Sequence, residues 1–203
     1  LNQTVGIFLG CTYTNPITKQ KQFAQYWPAS TLAGDCQAYV LDDPDAVFKA
    51  VVCSATTAVA SAAMAMIGTN LSAINNTGST TTGNSANAVL APSATPVTTT
   101  LPLRLIDVVS DSAITTSATG SSSSTTITLT GSGLPIAIPV GTDVAYVAAN
   151  GQIIQTGSFV TTAAAAAATS VTINAAIAVP GSVVAIPSAS TIVFTQYPEV
   201  LVK

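Results

Sequence analysis

The chain has 203 residues, of which only 6% are charged and 5% aromatic, and its net charge is −3. It holds no histidine, which removes Ser-His-Asp and Cys-His catalysis, histidine metal sites and the usual general base near pH 7. Five Lys and Arg residues cannot supply the phosphate contacts that nucleic-acid binding requires, so no nucleic-acid partner is expected.

The mean hydropathy, +0.55, comes from Ala and Val more than from Leu or Phe. Small and β-branched residues interleaved with Ser and Thr predict closely spaced strands around thin cores. The expected fold is mainly β, with at most one or two short helices near residues 54–68.

The opening, LNQTVGIFLGCTYTN, lacks the basic n-region of a secretory signal, and none is expected there. Charge then concentrates between residues 19 and 49, together with Phe23, Tyr26, Trp27, Tyr39 and Phe48. Gln37 to Leu41 is a predicted strand. Asp42-Asp43-Pro44-Asp45 is a predicted capped turn leading into the next strand, since Asp-Pro favours turn initiation. Carboxylates also suit a hard cation, but the spacing of an EF-hand is missing.

Ala50 to Gly68 is long enough to cross a bilayer. It is rich in Ala, Ser and Thr and poor in large apolar residues, so a packed Ala-rich helix, or a strand followed by one, is expected there and no membrane span. Residues 69–100 read as an irregular connection. Leu103 to Val109 restores a strand signal, apolar on both faces, as in a central strand.

A near-repeat follows. Ser121 to Val147 and Ala165 to Ile186 both run from a small-residue tract through TTITL or TSVTI to I-A-[IV]-P, glycine and a Val-rich stretch. Proline followed by glycine predicts a tight turn, and Asn150-Gly151 predicts a type I′ hairpin. Six alanines, Ala163 to Ala168, have the propensity of a helix. Their alignment with the serine run Ser121 to Ser124 predicts a loop or extended lead-in to a strand at Ser170 to Ile173. Two domains result: residues 1–112 with 192–203 as a β-rich core, and 113–191 as an inserted β-module.

Chemistry-bearing candidates are sparse. Asp107 and Asp111 share a face if both lie on one strand, the minimal requirement for a carboxylate pair in glycoside hydrolysis. The glycines of GSGLPIAIPVG lack the spacing and lysine of a phosphate loop. Cys11, Cys36 and Cys53 match no zinc pattern. They read as buried small residues, or as one disulfide with a spare thiol. No catalytic, cofactor or metal residue is assigned, and no enzyme is expected. Tyr13, Phe23, Tyr26, Trp27, Pro28 and Tyr39 remain as anchors for a protein contact or for the N-terminal core. A sugar platform is the competing use of these aromatics.

FLGCTYTNPITKQKQFAQYWPAS and AYVLDDPDAVFKAV together resemble the start of virion structural proteins of tailed phages, especially cyanophages. The shared features are Gly10 to Asn15, Tyr26-Trp27-Pro28 and Ala38 to Phe48. LPLRLIDVV and PEVLVK look like later core strands of that family. The resemblance implies a decoration or cement protein on the outer surface of a phage head. Its implied partners are the major capsid protein and further copies of itself, as a homo-oligomer such as a trimer. Another virion component, in tail, fibre or portal, carries the same resemblance.

Overall fold

The computed structural model describes residues 6–26, 34–54, 58–79, 81–82, 85–92, 101–119, 125–147, 150–174, 178–179, 182–183 and 190–203. Trp27, Pro28 and the serine run 121–124 lie outside the described residues. Within them the fold is mainly β, and its helical content is two single 3₁₀ turns, Met64–Met66 and Ser110–Ser112. Among the described residues no helix is long and apolar enough to cross a membrane.

The first three strands stand as their own sheet: β1 (Ile7–Thr14), β2 (Lys21–Ala24) and β3 (Gln37–Leu41), in the order β2-β1-β3 and antiparallel throughout. None of the three contributes a residue to either of the two buried apolar clusters.

The core follows with β4 (Phe48–Cys53), β5 (Asn70–Leu71), β6 (Ala73–Ile74), β7 (Ala88–Leu90) and β8 (Leu103–Val108). The chain returns at its end as β17 (Glu199–Val202), which lies between β8 and β4. The sheet order is β5-β8-β17-β4-β7-β6. Its outermost strands, β5 and β6, are one continuous segment interrupted only by Ser72, so the sheet curls until it meets itself. Curling removes the open edges. It encloses Val52, Leu71, Val89, Leu105, Val108, Val200 and Val202. Thus Ala50 to Gly68, expected to hold a helix or a strand then a helix, gives the end of β4, two single bridges at Val59 and Ala62, and a 3₁₀ turn.

The second cluster belongs to the module: β9 (Ile114–Ser117), β10 (Thr126–Thr128), β11 (Asp143–Val147), β12 (Ile153–Phe159), β13 (Ser170–Thr172), the short pair β14 (Ala178–Val179) and β15 (Ser182–Val183), and β16 (Thr191–Phe194). Four strands form a sheet ordered β12-β11-β16-β9, and β10 pairs with β13. Two single bridges, Ala118 with Leu129 and Val160 with Ile173, join these pieces into a ring around Ile127, Ile138, Val144, Ile192 and Phe194.

This ring has an internal two-fold relation that the near-repeat encodes. Ile127 pairs with Val171, while the Leu129 N–H donates to the Thr169 carbonyl and the Ile173 N–H to the Thr125 carbonyl, both at 2.8 Å. Exchanging the copies maps each bond onto the other. The same exchange maps the β11–β12 pairing onto the β16–β9 pairing. The sequence alignment had matched β11 with the stretch from Ser182, whereas the pairing gives that place to β16. Ile192 and Phe194 of β16 are fully buried and occupy the positions that Val144 and Tyr146 occupy on β11. Residues 192–203 therefore divide: β16 completes the module, and only β17 rejoins the core.

The alanine run is not helical. Ala164 exchanges both backbone hydrogen bonds with Ile138, and the Ala167 N–H donates to the Leu134 carbonyl at 2.8 Å. Ala167 takes a left-handed φ of 63°. Opposite it, Gly133 lies so close that a Cβ would sit 2.4 Å from the Ala168 carbonyl oxygen. Propensity loses here because the run makes cross-chain backbone bonds at the mouth of a packed ring.

Candidate docking surface

The N-terminal sheet is fastened locally by polar side chains. The Asn15 side-chain oxygen accepts from the Ile17 and Thr18 N–H groups at 2.9 and 3.2 Å, shaping the turn from β1 to β2. Asp35 closes the approach to β3. Its two carboxylate oxygens accept from the Thr14 backbone N–H at 3.0 Å and the Thr14 hydroxyl at 2.6 Å. These two bonds hold the Asp35 carboxyl below its ordinary value, overriding a small opposing effect of desolvation.

Register then decides what each face presents, since directly opposed residues share a face. Thr12 opposes Phe23, Gly10 opposes Tyr39, and Ile7 opposes Leu41. The missing side chain at Gly10 makes room for the Phe23 ring, whose atoms lie 2.5 Å from where a Cβ would be. The Phe23 and Tyr39 rings meet at 6.4 Å between centroids and 42° between planes. The Tyr39 hydroxyl lies 3.3 Å from the Thr12 hydroxyl, which anchors it on the same face. The outcome is an apolar strip, Phe23-Tyr39-Leu41-Ile7, in which Phe23 is 59% exposed and Tyr39 47%.

The opposite face carries Cys11, Tyr13, Gln22, Ala24 and Val40. A β-bulge between Phe8 and Gly10 turns Phe8 to this side, opposite Val40. Tyr13 donates its hydroxyl to the Gln22 side-chain oxygen at 3.3 Å. Tyr26, in the bend after β2, is 57% exposed. Tyr13, Gln22, Phe23, Ala24, Gln25, Tyr26 and Thr82 border an open, mainly polar groove of about 530 Å³.

Of the sequence-predicted anchors, Phe23 and Tyr39 meet ring to ring, and Phe23 also borders the groove together with Tyr13 and Tyr26. Ile7, Phe8, Leu9, Val40 and Leu41 were not singled out, although the alternation of an apolar strand with a bulge was there to read. In the acidic turn, the Asp45 N–H donates to an Asp43 side-chain oxygen at 2.8 Å, and the Ala46 N–H to the Asp43 carbonyl at 3.2 Å. Lys203 bonds to Asp45 at 2.9 Å, which lowers the Asp45 carboxyl. This turn is thus tied to the end of the core sheet.

Asp107 and Asp111 do not share a strand. Asp107 is on β8, its carboxylate taking the Val108 N–H at 2.7 Å, and Asp111 is in the 3₁₀ turn that follows. Among the described residues no group of three or more His, Cys, Asp or Glu is placed to hold a metal. The chain matches no known family, no curated protein and no solved structure.

Proposed function

We propose that this chain is a structural virion protein, a decoration or cement protein that docks on the major capsid protein lattice of a tailed-phage head and stabilises it. The observation carrying this reading is the N-terminal sheet, which leaves apolar side chains exposed on both faces. Ile7, Phe8, Leu9, Phe23, Tyr26, Tyr39, Val40 and Leu41 are each between 37% and 59% exposed. At roughly 150–250 Å² per large side chain, they present on the order of 700–800 Å² over the two faces together, so each face supplies about half of one partner's share of a standard interface. The strip itself is uncharged, while Lys21, Asp35 and Asp42 stand at its margin, which is the pattern of an apolar centre within a polar rim. A three-stranded sheet needs an apolar face covered to be stable, and a shell of repeated subunits offers that cover many times over. Weak single contacts then add through effective concentration.

The test is co-sedimentation of the purified chain with phage shells stripped of decoration. Phe23→Ala and Tyr39→Ala are each expected to weaken binding by about 2 kcal/mol, roughly thirtyfold. Both side chains are exposed, so the folded variants keep the parent circular dichroism. A chain that remains a lone monomer and never joins shells overturns the reading. Density at the tail of an intact particle moves the protein to a tail, fibre or portal role, whereas density at capsid threefold positions supports a trimeric cement.

The groove bordered by Tyr13, Gln22 and Tyr26 favours a second reading, a glycan-binding surface with ring and amide contacts. Glycan-array binding that disappears in Tyr26→Ala, with no shell binding, selects it.

A further inference from the structure

The two N-terminal cysteines face the same side of the same sheet. Cys11 on β1 opposes Ala38, so Cys36, two residues before Ala38, projects from the same face on the neighbouring strand line. The two thiols are thus diagonal neighbours on one face of adjacent strands. Desolvation first, and then the neighbouring Cys11 side chain, push the Cys36 thiol above its ordinary value, while the Cys11 thiol itself donates to the Tyr26 carbonyl at 3.5 Å. Both are free thiols, Cys11 fully buried and Cys36 half-buried. Cys36 precedes β3 and follows the turn at Gly34 and Asp35, outside the ladder of paired residues. A sulfur bond formed at Cys36 therefore breaks no strand pair. Cys53 is on β4, in the other sheet, and is buried there.

We propose that Cys11 and Cys36 are a dithiol pair that oxidises to a disulfide, closing residues 11–36 into a covalent loop across the docking sheet. The oxidant is a small disulfide such as oxidised glutathione. The half-buried Cys36 thiolate attacks one of its sulfurs and releases one glutathione thiolate. The Cys11 thiolate then attacks the Cys36 sulfur of the mixed disulfide and releases the second. The protein loses two protons and two electrons, and the small disulfide is reduced to two thiols. Because Cys36 ionises reluctantly, the exchange runs faster in alkaline than in neutral buffer. Cys11 is the resolving partner because it is inaccessible to the oxidant while adjacent to Cys36.

The five cationic residues place each cysteine in its own tryptic peptide: 1–19 holds Cys11, 22–49 holds Cys36 and 50–104 holds Cys53. The folded full-length chain is treated with oxidised glutathione and quenched with acid and an alkylating agent. Intact mass and a non-reducing tryptic map are then read. The expected result is loss of two hydrogens and one linked species joining 1–19 to 22–49, with Cys53 alkylated only after unfolding. Cys53→Ser is expected to leave that species intact. Cys36→Ser is expected to abolish it while keeping the parent circular dichroism. A stable glutathione adduct on Cys36 that never resolves overturns the proposal, as does a link to the Cys53 peptide. Alkylation of all three cysteines after oxidant treatment of the folded chain overturns it equally. Shell binding does not enter this readout, so its outcome is separate from that of the docking reading.

Discussion

Replacing Ala167 with glycine gives opposite results for a helix and for the turn found here. In a helix interior, Ala→Gly costs about 1 kcal/mol. Ala167 instead sits at φ 63°, where a side chain costs roughly 1–2 kcal/mol relative to the right-handed region. Glycine releases that strain and returns about 0.4–1 kcal/mol of it as extra freedom in the unfolded chain. The expected net effect of Ala167→Gly is a gain of about 0.5–1 kcal/mol. Gly133→Ala is the companion. Its φ is +77°, and the new Cβ would meet the Ala168 and Ala167 carbonyl oxygens at 2.4 and 2.8 Å. Both atoms are backbone, so they yield only if the turn moves. A loss of at least about 2 kcal/mol is expected, from left-handed strain plus the clash. Urea titration followed by far-ultraviolet circular dichroism, with the slope checked for constancy, measures both. A loss of about 1 kcal/mol in Ala167→Gly, or a neutral Gly133→Ala, refutes the turn and the ring built on it.

Phe194→Ala empties the fully buried centre of the module and is expected to cost about 3–5 kcal/mol. Amide exchange should show β9 to β13 losing protection well before β4 and β17. Asp35 contributes a pH dependence of known sign. Its folded pKa lies below the ordinary aspartate value, so between the two values the unfolded chain binds more protons and stability rises with pH. Its contribution is complete above about pH 5 and disappears as pH falls through the folded value. In Asp35→Asn, exchange of β1 amides should lose its acid-side step, and an unchanged step removes Asp35 as its source. Gln196 is buried between the two cores. Its amide nitrogen donates to the Thr142 hydroxyl at 3.0 Å, and its oxygen accepts from the Ser61 hydroxyl at 2.9 Å. Gln196→Leu removes both bonds, although the Thr142 hydroxyl keeps its bond to the Pro139 carbonyl, and is expected to cost about 1–3 kcal/mol. It should also separate the unfolding of β11 from that of β4 in amide exchange.

Where the sequence carried geometry in its spacing, the fold was legible. TTITL and TSVTI share a pattern because the two segments pair with one another across the module, so a repeat in one dimension is a symmetry in three. The alanine run was legible only through that repeat, since propensity for a single residue type takes no account of what lies opposite. The division of the last twelve residues was not legible. TIVF and EVLV are both short, apolar and β-branched, and either satisfies the same local rules. What separates them is which ring has a vacant strand position, a property set by residues far away in the chain. The joining of β5 and β6 into one closing strand was hidden for a similar reason. Asn70 to Ile74 sits in a polar tract, and its pairing partners, Arg104 with Leu103 and Val89 with Ala88, lie between 14 and 34 residues away.

The candidate site was concealed by a different ambiguity. IFLGCTYT and QAYVL carry apolar residues on both faces, which is also how a central strand buried on both sides reads. Composition reports that such surface must be covered but not by what. In β8 and β17 the chain supplies the cover itself, and Leu105 and Val200 are fully buried. In β1 and β3 the described residues do not, and of the large apolar side chains there Ile7, Leu9, Tyr39 and Val40 stay more than 40% exposed. The same sheet nevertheless spends specific bonds on holding its shape: the bidentate Asp35–Thr14 contact, the Asn15 turn, and the Phe23 ring seated over Gly10. A surface fixed in geometry and left uncovered is pre-organised for a partner, because the ordering that association otherwise demands has already been met within the fold. Relaxing it with Gly10→Ala, whose Cβ would meet the Phe23 ring at 2.5 Å and the Ala24 carbonyl oxygen at 2.8 Å, should therefore weaken shell binding while Phe23 itself remains present. Unchanged binding in that variant would mean that the exposed area alone, and not its arrangement, carries the contact.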